Sequence, residues 1–250
     1  MRKYVLILFL AAGFFIFQQP AWSQPIPVPN IDLTVNQSNS PSQVVDSVKL
    51  LVMLTLLSFI PAFLMMMTSF TRIIVVLSFL RSAMGTQQAP PNQVLIGLAL
   101  FLTIFVMAPV YQDINEHAIK PYLASEMNQE TAIESASKPL RSFMLKQTRE
   151  KDIALMVEAS KIESPQNADV LPLTVVVPAF IISELKTAFQ IGFLLYVPFL
   201  IIDMVVASIL MSVGMFMLPP VMVSLPFKLL LFVMVDGWYL VVKSLLESFH

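Results

Sequence analysis

The chain has 250 residues, 57% of them hydrophobic and only 12% charged, whereas an ordinary soluble domain carries about 25% charged residues. One soluble core cannot hide that much apolar side chain, so the composition predicts a membrane-destined protein. A net charge of −1 with no dense Lys/Arg stripe argues against a nucleic-acid partner, and the absence of cysteine excludes disulfides and thiolate metal sites.

The chain opens like a secretory signal. Met1-Arg2-Lys3 is a short positive region, and Val5 to Phe17 is an apolar run of 13 residues. As a helix that run reaches about 20 Å, short of the ~30 Å hydrocarbon core. Small residues at Ala21 and Ser23 place cleavage between Ser23 and Gln24, defining 1–23 as a cleavable signal peptide; an uncleaved anchor is the alternative. Residues 24–44, rich in Pro, Asn, Ser and Gln, read as a flexible extracytoplasmic leader.

Residues 45–110 form a first hydrophobic hairpin. Leu50 to Phe70 contains Pro61, Ile73 to Leu80 lies between Arg72 and Arg81, and Val94 to Val110 is closed by Pro109. The positive-inside rule assigns Arg72 and Arg81 a topological role, placing the connection between the two main stretches in the cytoplasm. Met65-Met66-Met67 reads as packing.

The polar block 111–170 holds seven Lys/Arg and ten Asp/Glu and would face outward. Ser137 is a candidate cap for a helix with Pro139 in its first turn. Apolar residues among the charges predict one or two amphipathic helices around 138–160. Val170 to Val177 is β-branched but flanked by Pro172 and Pro178, and reads as an extended approach to the next helix.

Residues 171–250 form a second hydrophobic hairpin. Ala188 to Leu210 carries Pro198 and Asp203; Leu229 to Val242, entered through Pro219-Pro220 and Pro226, carries Asp236. A 14-residue apolar run is too short for a free span. An aspartate at mid-span costs about 2.5–3.5 kcal/mol on insertion scales, so Asp203 should face protein or water. These features favour hairpins packed against other subunits over ordinary lipid-facing spans.

Three segments resemble the FliP family of flagellar type III export components. The most specific is MSVGMFMLPPVMVSLPFKLLLFVMVDGW at 211–238. It is joined by SFTRIIVVLSFLRSAMGTQQAPPNQVLIGLALFLT at 69–103 and PLRSFMLKQTREKDIALM at 139–156. The resemblance covers roughly residues 45–250. The R component of virulence type III secretion systems is similar in its second hairpin, but the cleavable leader points to the flagellar branch.

The resemblance implies an all-α protein with about four hydrophobic helices and an extracytoplasmic helical insert. Copies would assemble in a ring with the Q and R components, beside other export-apparatus membrane proteins. That ring would lie in the bacterial inner membrane within the flagellar basal body, with parts on the periplasmic side. Unfolded flagellar subunits would pass through it. No cofactor, metal, nucleic acid or catalysis is implied.

Met215, Phe216 and Met217 match the family's methionine-rich loop, which implies a gasket across the pore. Thioether side chains are apolar and adaptable enough for that, and apolar constrictions gate by dewetting. Here Phe216 interrupts the methionine run, which makes the ring stiffer.

Glu184, Lys228 and Asp203, with Asp236, are costly to bury singly and less so in pairs. An ion pair between Glu184 and Lys228 of neighbouring subunits would fix register. Solvated charges lining a lumen are the alternative.

Two rivals from other classes remain. Asp203 and Asp236 suit a secondary transporter or proton channel, although the hairpins show no internal repeat. An intramembrane protease would use Glu184 and the same two aspartates, but no catalytic motif such as HExxH accompanies them.

Overall fold

The computed structural model describes residues 41–86, 88–162 and 170–249. The expected signal peptide and its Ser23/Gln24 junction lie outside these residues. The chain divides into two units, Met1–Val52 and Met53–His250. Of the first, the described part is the opening of helix α1.

Among the described residues every regular element is helical. α1 spans Pro41–Met66, so it begins inside the segment expected to be leader and continues through Pro61. None of its described side chains is buried; Leu51, Met53 and Leu56 are all more than 60% exposed. A helix that is apolar all round requires lipid or other protein to cover it. Met65 and Met66 are likewise exposed, and of that trio only Met67 packs within the chain.

α2, Phe70–Met84, is the centre of the main core. It buries Ile73, Val76, Leu77, Leu80, Ala83 and Met84, a stripe at the spacing of one helix face. Gly85 ends it in the left-handed region, φ 77°, with its N–H donated to the Ser82 carbonyl. The neighbours of α2 are α3, Asn92–Ile114, and α7, Leu173–Ser212. Gly192 of α7 lies so close to Phe79 that a Cβ would meet the ring at 2.7 Å. Only glycine allows that approach.

α3 runs through a π-helical turn, Asn115–Ile119, into the short α4, Lys120–Leu123. The combined rod of 32 residues and the 40-residue α7 are each long and apolar enough to cross a membrane. A third crossing is available if α8, Pro220–Met234, and α9, Gly237–Glu247, act together; they meet at a 64° bend. The apolar run 229–242 is therefore a broken element. Asp236 sits at the break with φ 51°, a left-handed conformation that stops the first helix.

The polar block supplies α5, Gln129–Gln147, and α6, Glu150–Ser160. Met144 and Val157 from these helices pack on Val175, Val176 and Phe180 of α7 to make a second core. Two expectations are corrected here. α5 is capped by Asn128, whose side chain accepts the Thr131 N–H at 2.8 Å, while Ser137 and Pro139 lie inside the helix. Pro139 leaves the Ser135 carbonyl without its usual donor, but both residues line an open polar cleft of about 520 Å³ where water has access.

The second correction concerns 170–177, which is helical from Leu173 with Pro172 as its cap. Burying Val175 and Val176 in the second core outweighs the weak preference of valine for extended backbone.

Candidate functional site: buried ion pairs and an exposed apolar loop

Arg72 lies in the first turn of α2, where the sequence predicts a topological signal, and it is 2% exposed. All its N–H groups are engaged. Nε donates to Glu184 Oε2 at 2.9 Å, and Nη2 completes a bidentate pair with the same carboxylate. Nη2 also donates to Gln147 Oε1 at 3.0 Å. Nη1 donates to the Ser248 carbonyl at 2.8 Å and to its hydroxyl at 3.1 Å. The guanidinium stacks 3.9 Å from the centroid of Phe249. One side chain thus joins α2, α5, α7 and the segment after α9. Such burial is tolerable because the planar fork matches a carboxylate and no donor is wasted.

A second pair lies further along α7. Lys228 of α8, 2% exposed, donates from Nζ to Asp203 Oδ2 at 2.6 Å and to the Ala83 carbonyl at 3.3 Å. Ser224 donates to the other oxygen of Asp203 at 2.5 Å. Asp203 therefore has partners inside the chain, as its place in an apolar helix demands. The structure does not bring Glu184 and Lys228 together: each takes a partner from its own chain. Arg81 stays at the surface, its Nη1 donating to Asn92 Oδ1 at 2.5 Å.

Sequence reasoning missed a third cluster. Asp152, in the first turn of α6 and 5% exposed, accepts from the Ser183 hydroxyl at 2.5 Å and pairs with Arg149 at 2.5 Å. Burial works against its charged form, but Ser183 and Arg149 together outweigh it and hold the carboxyl below its usual range. The available signal was an acid with basic neighbours, Arg149 and Lys151, inside the predicted amphipathic region 138–160.

The loop between α7 and α8 has the opposite character. Gly214, φ 81°, ends α7 with its N–H on the Met211 carbonyl, while the Met215 N–H reaches the Leu210 carbonyl at 3.0 Å. This is the paired bond pattern of a Schellman stop. Pro219-Pro220 then starts α8. Between the two stops, Met215 is 48%, Phe216 78% and Met217 98% exposed. Four consecutive apolar side chains, Met215 to Leu218, therefore stand in the open without cover from their own chain. Among the described residues no group of three or more His, Asp or Glu side chains converges on a metal position.

Long apolar helices, charges neutralised inside the chain and an uncovered apolar turn define an all-α, membrane-associated protein whose outer surface needs further protein or lipid. Residues 53–245 match the profile of the FliP family. The chain is 57% identical over 217 residues to the flagellar biosynthetic protein FliP of Bacillus subtilis (strain 168), covering 87% of this chain and 98% of the relative. It is 52% identical over 241 residues to that of Pectobacterium carotovorum subsp. carotovorum, with 96% and 92% covered. With that of Aquifex aeolicus (strain VF5) it shares 50% over 252 residues, covering 100% of both. The chain belongs to the FliP family.

Proposed function

We propose that this protein is a pore-forming subunit of the flagellar type III export gate, assembled as several copies with the Q and R components in the bacterial inner membrane. In this reading unfolded flagellar subunits pass through the assembly, and the subunit itself catalyses nothing. The relatives' shared name, flagellar biosynthetic protein, supports the flagellar assignment.

The observation that carries the pore is the loop Met215–Leu218. It is bounded by the helix stops at Gly214 and Pro219, and its side chains find no cover among the described residues. Copies arranged around an axis would bring these side chains together as an apolar seal. Flexible methionines would deform around passing chains, while Phe216 adds bulk. Asp203, held by Lys228 and Ser224, is not a free carboxylate poised for a proton relay.

The test is ion leakage in cells producing the whole export gate. Replacing Met217 with Ser and Phe216 with Ser together should raise membrane ion permeability several-fold while the complex still assembles. Unchanged permeability in an assembled double variant would remove the loop from the seal.

A further inference from the structure

The polar helices carry their charge unevenly, and this has a consequence for how copies meet. α5 is about 28 Å long at 1.5 Å per residue. Glu126 stands just before it, and Glu130 and Glu134 lie one turn apart in its first half. Lys146 lies in its last turn, and Lys151 follows at the start of α6. All five are exposed.

The basic end gains a further cation from α7. The Arg149 N–H donates to the Ser183 hydroxyl at 3.1 Å, which fixes the start of α6 one turn before Lys186. Lys186 is exposed and stands beside Lys151 and Arg149. Arg149 is engaged with Asp152, leaving the exposed Glu150 as the nearby carboxylate in sequence. Among the described residues Lys146, Lys151 and Lys186 have no ion-pair partner within 4.0 Å, and neither do Glu126 and Glu130. Glu134 has only Lys138, at 3.7 Å and in solvent, a contact of small worth.

Acidic charge is thus gathered at the start of α5, and basic charge at its far end, where Lys151 of α6 and Lys186 of α7 join Lys146, so that the two groups are not paired within the described residues. We infer that they are the two halves of one contact between copies: the Glu126, Glu130 and Glu134 face of one subunit docks on the Lys146, Lys151 and Lys186 face of the next. A contact between two different surfaces repeats head to tail and closes into a ring when the rotation allows. This rests on the multi-copy reading above and names the surface that orders the copies. Exposed pairs of this kind add little affinity, but they steer encounter and fix register.

The chain contains no cysteine, so introduced cysteines report contacts without background. A chain carrying both Glu134→Cys and Lys186→Cys, produced with the other gate components and mildly oxidised in membranes, should give a ladder of covalent multimers beyond the dimer. Either single variant should remain monomeric on a denaturing gel. Lys151→Glu with Lys186→Glu should abolish the multi-copy complex, as should Glu130→Lys with Glu134→Lys; combining all four should restore it. A ladder that stops at the dimer would replace the ring contact with a two-fold one and overturn the inference. Charge-reversed chains that assemble normally would also overturn it. So would a loss that the combined variant does not rescue but that anionic-lipid depletion reproduces, because a lipid headgroup would then be the partner. If the unaltered chain itself is found in single copy, the multi-copy reading fails and this contact with it. If it is multi-copy while the variants are unaffected, only this contact fails.

Discussion

Arg72 and Glu184 are joined across 112 positions of sequence and sit with almost no exposure to solvent. Breaking such a pair on one side leaves a buried charge uncompensated, which costs about 3–5 kcal/mol. Arg72→Met should therefore lower the unfolding free energy of the detergent-solubilised protein by that order, measured by chemical denaturation. Arg72→Met combined with Glu184→Leu should recover most of it, since apolar replacements of a buried pair are often neutral. A single variant losing less than about 1 kcal/mol would mean that the pair behaves like one in solvent.

Asp152 gives a pH signature at the same scale. Its carboxyl is held below the usual range by Ser183 and Arg149 against the effect of burial. Its contribution is therefore complete above the unfolded value of about 4 and is lost as pH falls through the lower folded value. Asp152→Asn should remove that part of the acid-side loss, and the difference between variant and parent should shrink on acidification. Unfolding midpoints measured from neutral pH downward test this. A difference that grows toward acid would reverse the sign.

Among the elements, the helix stops are as informative as the helices. Gly214 has a positive φ, 81°, and open space where a Cβ would lie, so a substitution there acts through the backbone alone. Gly214→Val should cost about 1–2 kcal/mol and re-aim Met215 and Phe216, which the ion-leakage assay of the assembled gate would register. Unchanged leakage would mean that the loop's aim is set by neighbouring subunits.

Much at this scale was legible in the sequence. The polar block and the apolar character of α3 and α7 follow from residue pattern, whereas α2 showed only as an apolar run between Arg72 and Arg81 and its place at the centre of the core did not. Helix starts were less so. Asn128 competes with Ser137 as a cap, and local rules cannot rank them; Val170 to Val177 has local signals that oppose its burial. The kink at Asp236 was hidden because one apolar run covers both of its arms. Candidate charges were visible, but their partners were not, because no local rule connects residue 72 to 184 or 203 to 228.

At the scale of the whole molecule, what matters is the surface left uncovered. α1 buries none of its described side chains, and Phe101 and Phe105 on α3, with Phe193 and Leu194 on α7, are about 70% exposed. Lipid can cover some of this; in the proposed assembly neighbouring copies cover the exposed loop at Met217 and pair the charges of α5. The most direct test is native mass spectrometry of the detergent-extracted protein, produced with the Q and R components proposed as its partners and read for mass and composition. The account predicts one defined complex holding several copies of this chain, each beginning at Gln24. A single copy, or a free monomer under conditions that keep the other components together, would contradict it.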